Sequence, residues 1–160
     1  MLLFTIFMTN GFAEPPATEI FSGFRMGYGY VEDERLFTNH LMILGWDHMA
    51  YIDTGANIDV VVAGNISLGG MNQSEVLPSG HLVVGYQMFD SIQFGVGPVV
   101  TIESFEPEPI PRLNMIVAAG WNIALGDAFL PLHVGYVPDP DGRWRAYVTT
   151  GMNWQLRRSK

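Results

Sequence analysis

Residues 91–103 read SIQFGVGPVVTIE, with Ile92, Phe94, Val96, Val100 and Ile102 on one parity and Gln93, Gly95, Gly97, Thr101 and Glu103 on the other. Successive side chains of a strand point to opposite faces, so this pattern predicts a β-strand with one large apolar face and one small, polar face. The run before it agrees. Residues 79–88 set Leu82, Val84, Tyr86 and Met88 against Ser79, His81, Gly85 and Gln87, and only Phe89-Asp90 separates the two runs, the length of a hairpin turn.

Working outward, the same period recurs in residues 21–31, 57–70, 112–125, 128–138 and 143–156, and more weakly in 39–52, which predicts eight strands. In 39–52 apolar residues fall on both parities, so the pattern leaves open whether Asp47 or His48 faces inward. The connections alternate in length. Residues 32–38, 71–78, 104–111 and 139–142 are mostly long, whereas 53–56, 89–90 and 126–127 are short and carry Asp53-Thr54-Gly55, Asp90 and Gly126-Asp127, residues suited to tight turns. An antiparallel meander puts all the short turns at one end and all the long loops at the other. Eight such strands close into an up-and-down barrel.

Composition narrows what the barrel is for. The 160 residues are 48% apolar and only 15% charged, with 18 Gly, no Cys and a formal charge of −8, enough for one domain. The absence of Cys excludes disulfides, thiolate zinc sites and cysteine nucleophiles. A single Lys, Lys160, and the acidic balance exclude a nucleic-acid partner, since phosphate binding needs a basic face. Residues 1–13, MLLFTIFMTNGFA, read as a secretory signal peptide with cleavage after Ala13 or as late as Ala17, leaving 14–160 as one barrel domain.

The apolar face can line the interior of a soluble barrel that carries an apolar ligand, or face lipid. The second fits better, because the opposite face is Gly, Ala, Ser, Asn, Gln and Thr with few charges, the content expected of a narrow lumen rather than of a surface in water. Aromatic residues fall into two groups: Tyr28, Tyr30, Tyr136 and Trp144 toward the long-loop end, and Trp46, Tyr86, Phe94, Trp121 and Trp154 toward the short-turn end. Two such girdles mark the two membrane interfaces.

On these features residues 21–156 resemble the small eight-stranded outer-membrane β-barrel proteins of Gram-negative bacteria, a resemblance of architecture rather than of a unique motif. It implies an all-β, eight-stranded antiparallel transmembrane barrel in the outer membrane, inserted by the outer-membrane assembly machinery, surrounded by outer-membrane lipids and lipopolysaccharide, and monomeric. Such a barrel is porin-like only in architecture, since eight strands leave an interior that side chains fill. One departure stands out: the terminal aromatic that family members carry is displaced inward, Trp154 and Leu156 being followed by Arg157-Arg158-Ser159-Lys160.

Candidate sites follow from parity. Arg25, Asp59 and His133, with Asp47 if it faces inward, are expected to form a packed polar cluster in the lumen that needs no cofactor. Ser79, His81 and Glu103 share the inward parity, and folding 79–88 against 91–103 brings Ser79 opposite Thr101. A hydroxyl, an imidazole and a carboxylate so placed would suit acyl transfer, so a lipid A or phospholipid acyl hydrolase or acyltransferase is the alternative to a non-enzymatic surface or envelope-structural barrel. No metal site is expected, because His40, His48, His81 and His133 lie on different strands. The long loops carry Glu32, Asp33, Glu34, Glu75, Glu103, Glu106, Glu108, Asp139 and Asp141 against Arg35, Arg112 and Arg143, an acidic rim of about −6 that solvent or divalent cations would balance.

Overall fold

The computed structural model describes residues 17–33, 36, 38–55, 57–73, 76–103 and 109–159. The expected signal peptide lies outside these residues, as do Glu34, Arg35, Glu75, Glu106 and Glu108 of the expected rim. Eight strands follow one another: β1 (Thr18–Val31), β2 (His40–Ile52), β3 (Ile58–Gly69), β4 (Leu77–Met88), β5 (Ile92–Glu103), β6 (Ile110–Leu125), β7 (Ala128–Val137) and β8 (Arg145–Ser159). Each pairs antiparallel with the next, and β1 pairs with β8 to close the barrel.

The expected runs and the observed strands differ mainly at their ends. β1 starts at Thr18 and β8 continues to Ser159, because the first residues of β1 pair with Ile52 on one side and with Ser159 on the other. A one-residue slip accompanies this extension: Ile20 pairs with Arg157 but Phe21 with Gln155, so Leu156 is the extra residue of a bulge. At the other end Arg143 and Trp144 belong to the loop before β8 rather than to the strand.

The alternation has the expected polarity. Leu113 and Ile66 are 71% and 70% exposed on the outside, while Ile116 is fully buried inside. β2 resolves by the same rule: Asp47 faces the lumen and His48 is exposed outside. Its mixed apolar pattern has a physical origin, since Leu41 packs inward with Val31, Leu36 and Leu77, and Met49 and Tyr51 pack inward with Val61 and Phe129. The packed polar lumen expected from the inward face is polar only in part. Apolar clusters occupy both ends, and Val83, Val99, Ile116 and Val137 form a third, so the polar groups sit between apolar layers.

The Phe89-Asp90 hairpin is the tightest turn that stores strain. Both residues adopt positive φ, 52° and 55°, and Ser91 N donates to Met88 O at 3.1 Å. A turn with both central residues left-handed matches the twist of the flanking strands but suits Asn or Gly better than Phe, which costs roughly 1–2 kcal/mol in that region. Phe89→Asn is therefore expected to raise the unfolding free energy by about 0.5–1 kcal/mol. The shift is read from the urea midpoint of the folded barrel in micelles, where an unchanged or lower midpoint would contradict the turn as described.

Candidate functional site

Every strand sends every second residue into the lumen, and the barrel's stagger decides which of them meet. At the centre Arg25 (β1) donates through Nε to Asp47 Oδ2 (β2), while Asn65 Nδ2 (β3) donates to Asp47 Oδ1. Both members of the ion pair are buried. Met49 Sδ lies beneath them and accepts from Arg25 Nη2 at 3.6 Å, Asn153 Nδ2 at 3.2 Å and the Tyr51 hydroxyl at 3.7 Å. Among the described residues Arg25 Nη1 and Asn153 Oδ1 have no hydrogen-bond partner, although both side chains are buried.

Toward the short-turn end a layer of amides follows. Gln93 Nε2 donates to the Tyr51 hydroxyl at 2.7 Å and to Gln87 Oε1 at 2.8 Å, and Asn122 Nδ2 reaches the same two acceptors at 3.1 Å each. His133 Nε2 lies 3.0 Å from Gln93 Oε1, which ties the histidine to this layer rather than to Arg25. The site of His133 depends on its neighbour. A Cβ at Gly120 would collide with the imidazole, so the ring occupies the space that a side chain there would need.

Asp59 is not in this cluster. It sits beside the first short turn and lines an open vestibule of about 510 Å³ at that end, with Asp53, Asp90 and Asp127. Six residues of strand separate it from Asn65, roughly 20 Å of rise, and shared parity cannot close that distance.

Ser79, His81 and Glu103 share the lumen face but not each other's company. The register is the expected one, with Ser79 opposite Thr101. Yet Ser79 Oγ lies 2.9 Å from Ser67 Oγ, and Glu103 Oε2 accepts from Arg112 Nε at 2.8 Å with Arg143 Nη1 at 3.9 Å. A carboxylate neutralised by two arginines does not orient an imidazole, and the His81 ring makes no hydrogen bond to the described residues. No group of three His, Asp or Glu side chains among the described residues is placed to hold a metal.

The rim continues from Glu103. Asp141, on the β7–β8 loop, accepts from Arg143 Nη2 at 2.8 Å and Arg112 Nη1 at 3.2 Å, and these two guanidinium groups hold its carboxyl below the usual aspartate range. Outside the barrel the aromatics form linked groups. Tyr30 stacks on Trp144 at 5.2 Å, with Tyr136 at 6.0 Å beyond it and His40 between Tyr30 and Tyr28, a belt at the long-loop end. Toward the other end Trp46 meets Trp154 edge-on at 5.6 Å, and its indole N–H donates to Ser22 Oγ at 2.8 Å. Tyr86, Phe94 and Trp121 stand exposed on the same side.

Parity alone did not single out Met49, Asn65, Tyr51 or Asn153. The inward position of Asn65 and Asn153 follows from the period, that of Met49 and Tyr51 only from the closed barrel, and the partners of all four follow from stagger between strands.

No family model matches the chain, and no curated protein matches its sequence. Solved structures do. The attachment invasion locus protein Ail of Yersinia pestis superposes with a TM-score of 0.58 at 11% identity, over 89% of this chain and 99% of that one. Ail in complex with the heparin analogue sucrose octasulfate gives 0.60 at 10% identity, over 89% and 99%. Neisserial surface protein A gives 0.54 at 9% identity, over 86% and 97%. At these identities the likeness is one of fold, and the fold is the small eight-stranded transmembrane β-barrel.

Breaking the central pair leaves a carboxylate in the lumen with one amide for company, so Arg25→Leu is expected to cost about 3–5 kcal/mol. Arg25→Leu combined with Asp47→Leu should recover most of that loss, since neither charge then remains buried. Denaturant titration of the four barrels in one detergent measures the cycle, and a double variant no more stable than Arg25→Leu would show that the pair is not the coupled unit.

Proposed function

We propose that this chain is a non-enzymatic barrel of the Gram-negative outer membrane, with its short turns periplasmic, its long loops at the cell surface, and a surface or envelope-structural role. The observation that carries the reading is a lumen plugged by side chains inside an apolar exterior. Outward-facing side chains such as Val84 at 50% exposure and Leu113 at 71% make the exterior mainly apolar, while the Arg25–Asp47 centre and the apolar layers around it plug the interior. An apolar exterior suits lipid, and a closed interior suits neither diffusion nor turnover. In this reading outer-membrane lipids and lipopolysaccharide surround one copy of the barrel, delivered by the assembly machinery; closure leaves no strand edge for a second copy.

The solved complex of Ail holds a heparin analogue. The rim of this chain does not favour a sulfated sugar, because Arg112 and Arg143 are already engaged by Glu103 and Asp141. The acyl-transfer reading finds no support in the contacts of Ser79 and Glu103.

Two measurements test the proposal. Val84 pairs with Val62 and Val96 near mid-strand, so Val84→Arg is expected to lower folding stability in phospholipid vesicles by about 2–4 kcal/mol. A negligible change there would mean that this face meets water. Mass spectrometry of lipid A from cells with and without the protein is expected to show the same acyl chains, and a difference abolished by Ser79→Ala would replace the structural reading with the enzymatic one.

A further inference from the structure

The short-turn mouth of the barrel opens into the vestibule of about 510 Å³ that Asp59 lines. Three more aspartates reach it from the turns themselves: Asp53 between β2 and β3, Asp90 between β4 and β5, and Asp127 between β6 and β7. The meander gathers them, because every second connection returns to this end. No basic side chain lines the space, and Asp53 and Asp90 lie near enough to Asp59 to repel it. Glu19 lines it too but stands opposite Arg158 in the β1–β8 register, so the excess negative charge rests on the four aspartates.

Carboxylates alone do not select a ligand, but the floor and wall of the vestibule do. Asn122, 6% exposed, belongs to the floor. Its Nδ2 is spent on the Tyr51 hydroxyl and Gln87 Oε1, which leaves Oδ1 without a hydrogen-bond partner among the described residues. The amide cannot turn over to relieve this, since Gln87 Oε1 only accepts and needs the N–H where it is. Gln87 is also the partner of Asp59 across β3 and β4, so one side chain separates the orphan carbonyl from a carboxylate. The wall is aromatic. Phe21 packs against Phe129 at 4.8 Å and against Tyr51 at 5.4 Å, and all three line the vestibule. A buried acceptor lacking a donor, aromatic rings and clustered carboxylates all favour a group that brings positive charge, N–H donors and hydrocarbon together. A metal ion answers only the carboxylates, and no three His, Asp or Glu side chains among the described residues are placed to hold one.

We propose that the vestibule binds a linear aliphatic diamine. One primary ammonium sits between the Asp59 carboxylate and the Asn122 carbonyl, the methylene chain lies along Phe21 and Phe129, and the second ammonium is held at the mouth by the turn aspartates. Size is no bar: an apolar cavity of about 150 Å³ accepts benzene, and a four-carbon diamine has as many heavy atoms. The site goes beyond the envelope-structural reading and does not depend on it, so the experiment below leaves that reading untouched whichever way it falls.

The test uses the folded barrel, labelled with 15N-asparagine, in zwitterionic phosphatidylcholine nanodiscs at low ionic strength and neutral pH, where both amines of the probe 1,4-diaminobutane are protonated. The Asn122 side-chain amide resonances, assigned by their loss in Asn122→Ser, are expected to shift saturably in the millimolar range. Butylamine and magnesium chloride should each bind about tenfold more weakly or not at all, the first for want of a second charge and the second for want of N–H donors and hydrocarbon. Asp59→Asn should weaken the diamine about tenfold; if that variant does not fold, Asp90→Asn combined with Asp127→Asn, both on exposed turns, makes the same test. No saturable shift, an equal response to butylamine or magnesium, or an affinity unchanged by loss of these aspartates overturns the proposal.

Discussion

Closure of β1 on β8 is the constraint on which everything else depends. Hydrocarbon offers no hydrogen-bond partners, so a chain with an apolar exterior must pair its backbone polar groups within itself, and a sheet does so only when it has no edge. The thirteen-residue register between β1 and β2, and the matching ladder between β1 and β8, carry that load on both sides of one strand. The bulge at Leu156 belongs to the same requirement. It lets the end of β8 continue beside Thr18 to Ile20 after the register has slipped, so pairing persists to Ser159.

Closing only eight strands makes the interior narrow, and narrowness dictates its chemistry. Glycine appears where a ring crosses the lumen: His133 lies over Gly120 and Tyr147 over Gly135. Each pair exchanges a side chain for a ring, and His133 borders both a cavity of about 110 Å³ and a smaller one of about 50 Å³. The remaining polar groups find their partners among the side chains that the stagger brings to the same level. This explains the thioether of Met49 as an acceptor for three donors, a weak role for sulfur that is useful where no oxygen is within reach. It also explains why apolar layers cap the charged centre. A buried ion pair is best kept from partial hydration, and the clusters around Leu41 and around Phe129 shield it from both ends.

The likeness to Ail and to Neisserial surface protein A is a likeness of this constraint rather than of sequence. A barrel with one parity in lipid and the other in a tight lumen can be written with many sequences, provided that the period, the turn chemistry and the small inward residues are kept. What individual barrels bind is set at the loops and in the lumen, where the residues are free to differ. In this chain the described rim carries two carboxylates, Glu103 and Asp141, shared between Arg112 and Arg143.

The sequence by itself determined the strands, their faces and their turns. Alternation in residues 91–103 requires only that neighbours point to opposite sides, and Gly55, Asp90 and Gly126 announce turns through local backbone preference alone. It also placed Ser79 opposite Thr101, because a two-residue turn fixes the register of the hairpin it closes. Tertiary structure decided which inward residues meet. Arg25 and Asp47 meet because β1 and β2 are adjacent and in step, whereas Asp59, with the same parity, lies six residues of strand below Asn65, beside the short turns. It decided β2 as well, where apolar residues on both faces hid the inward side until Leu41 and Met49 were seen to fill the two ends of the lumen. Period is a property of one strand, but level in a barrel depends on the stagger accumulated around all eight, and no single run of residues records it.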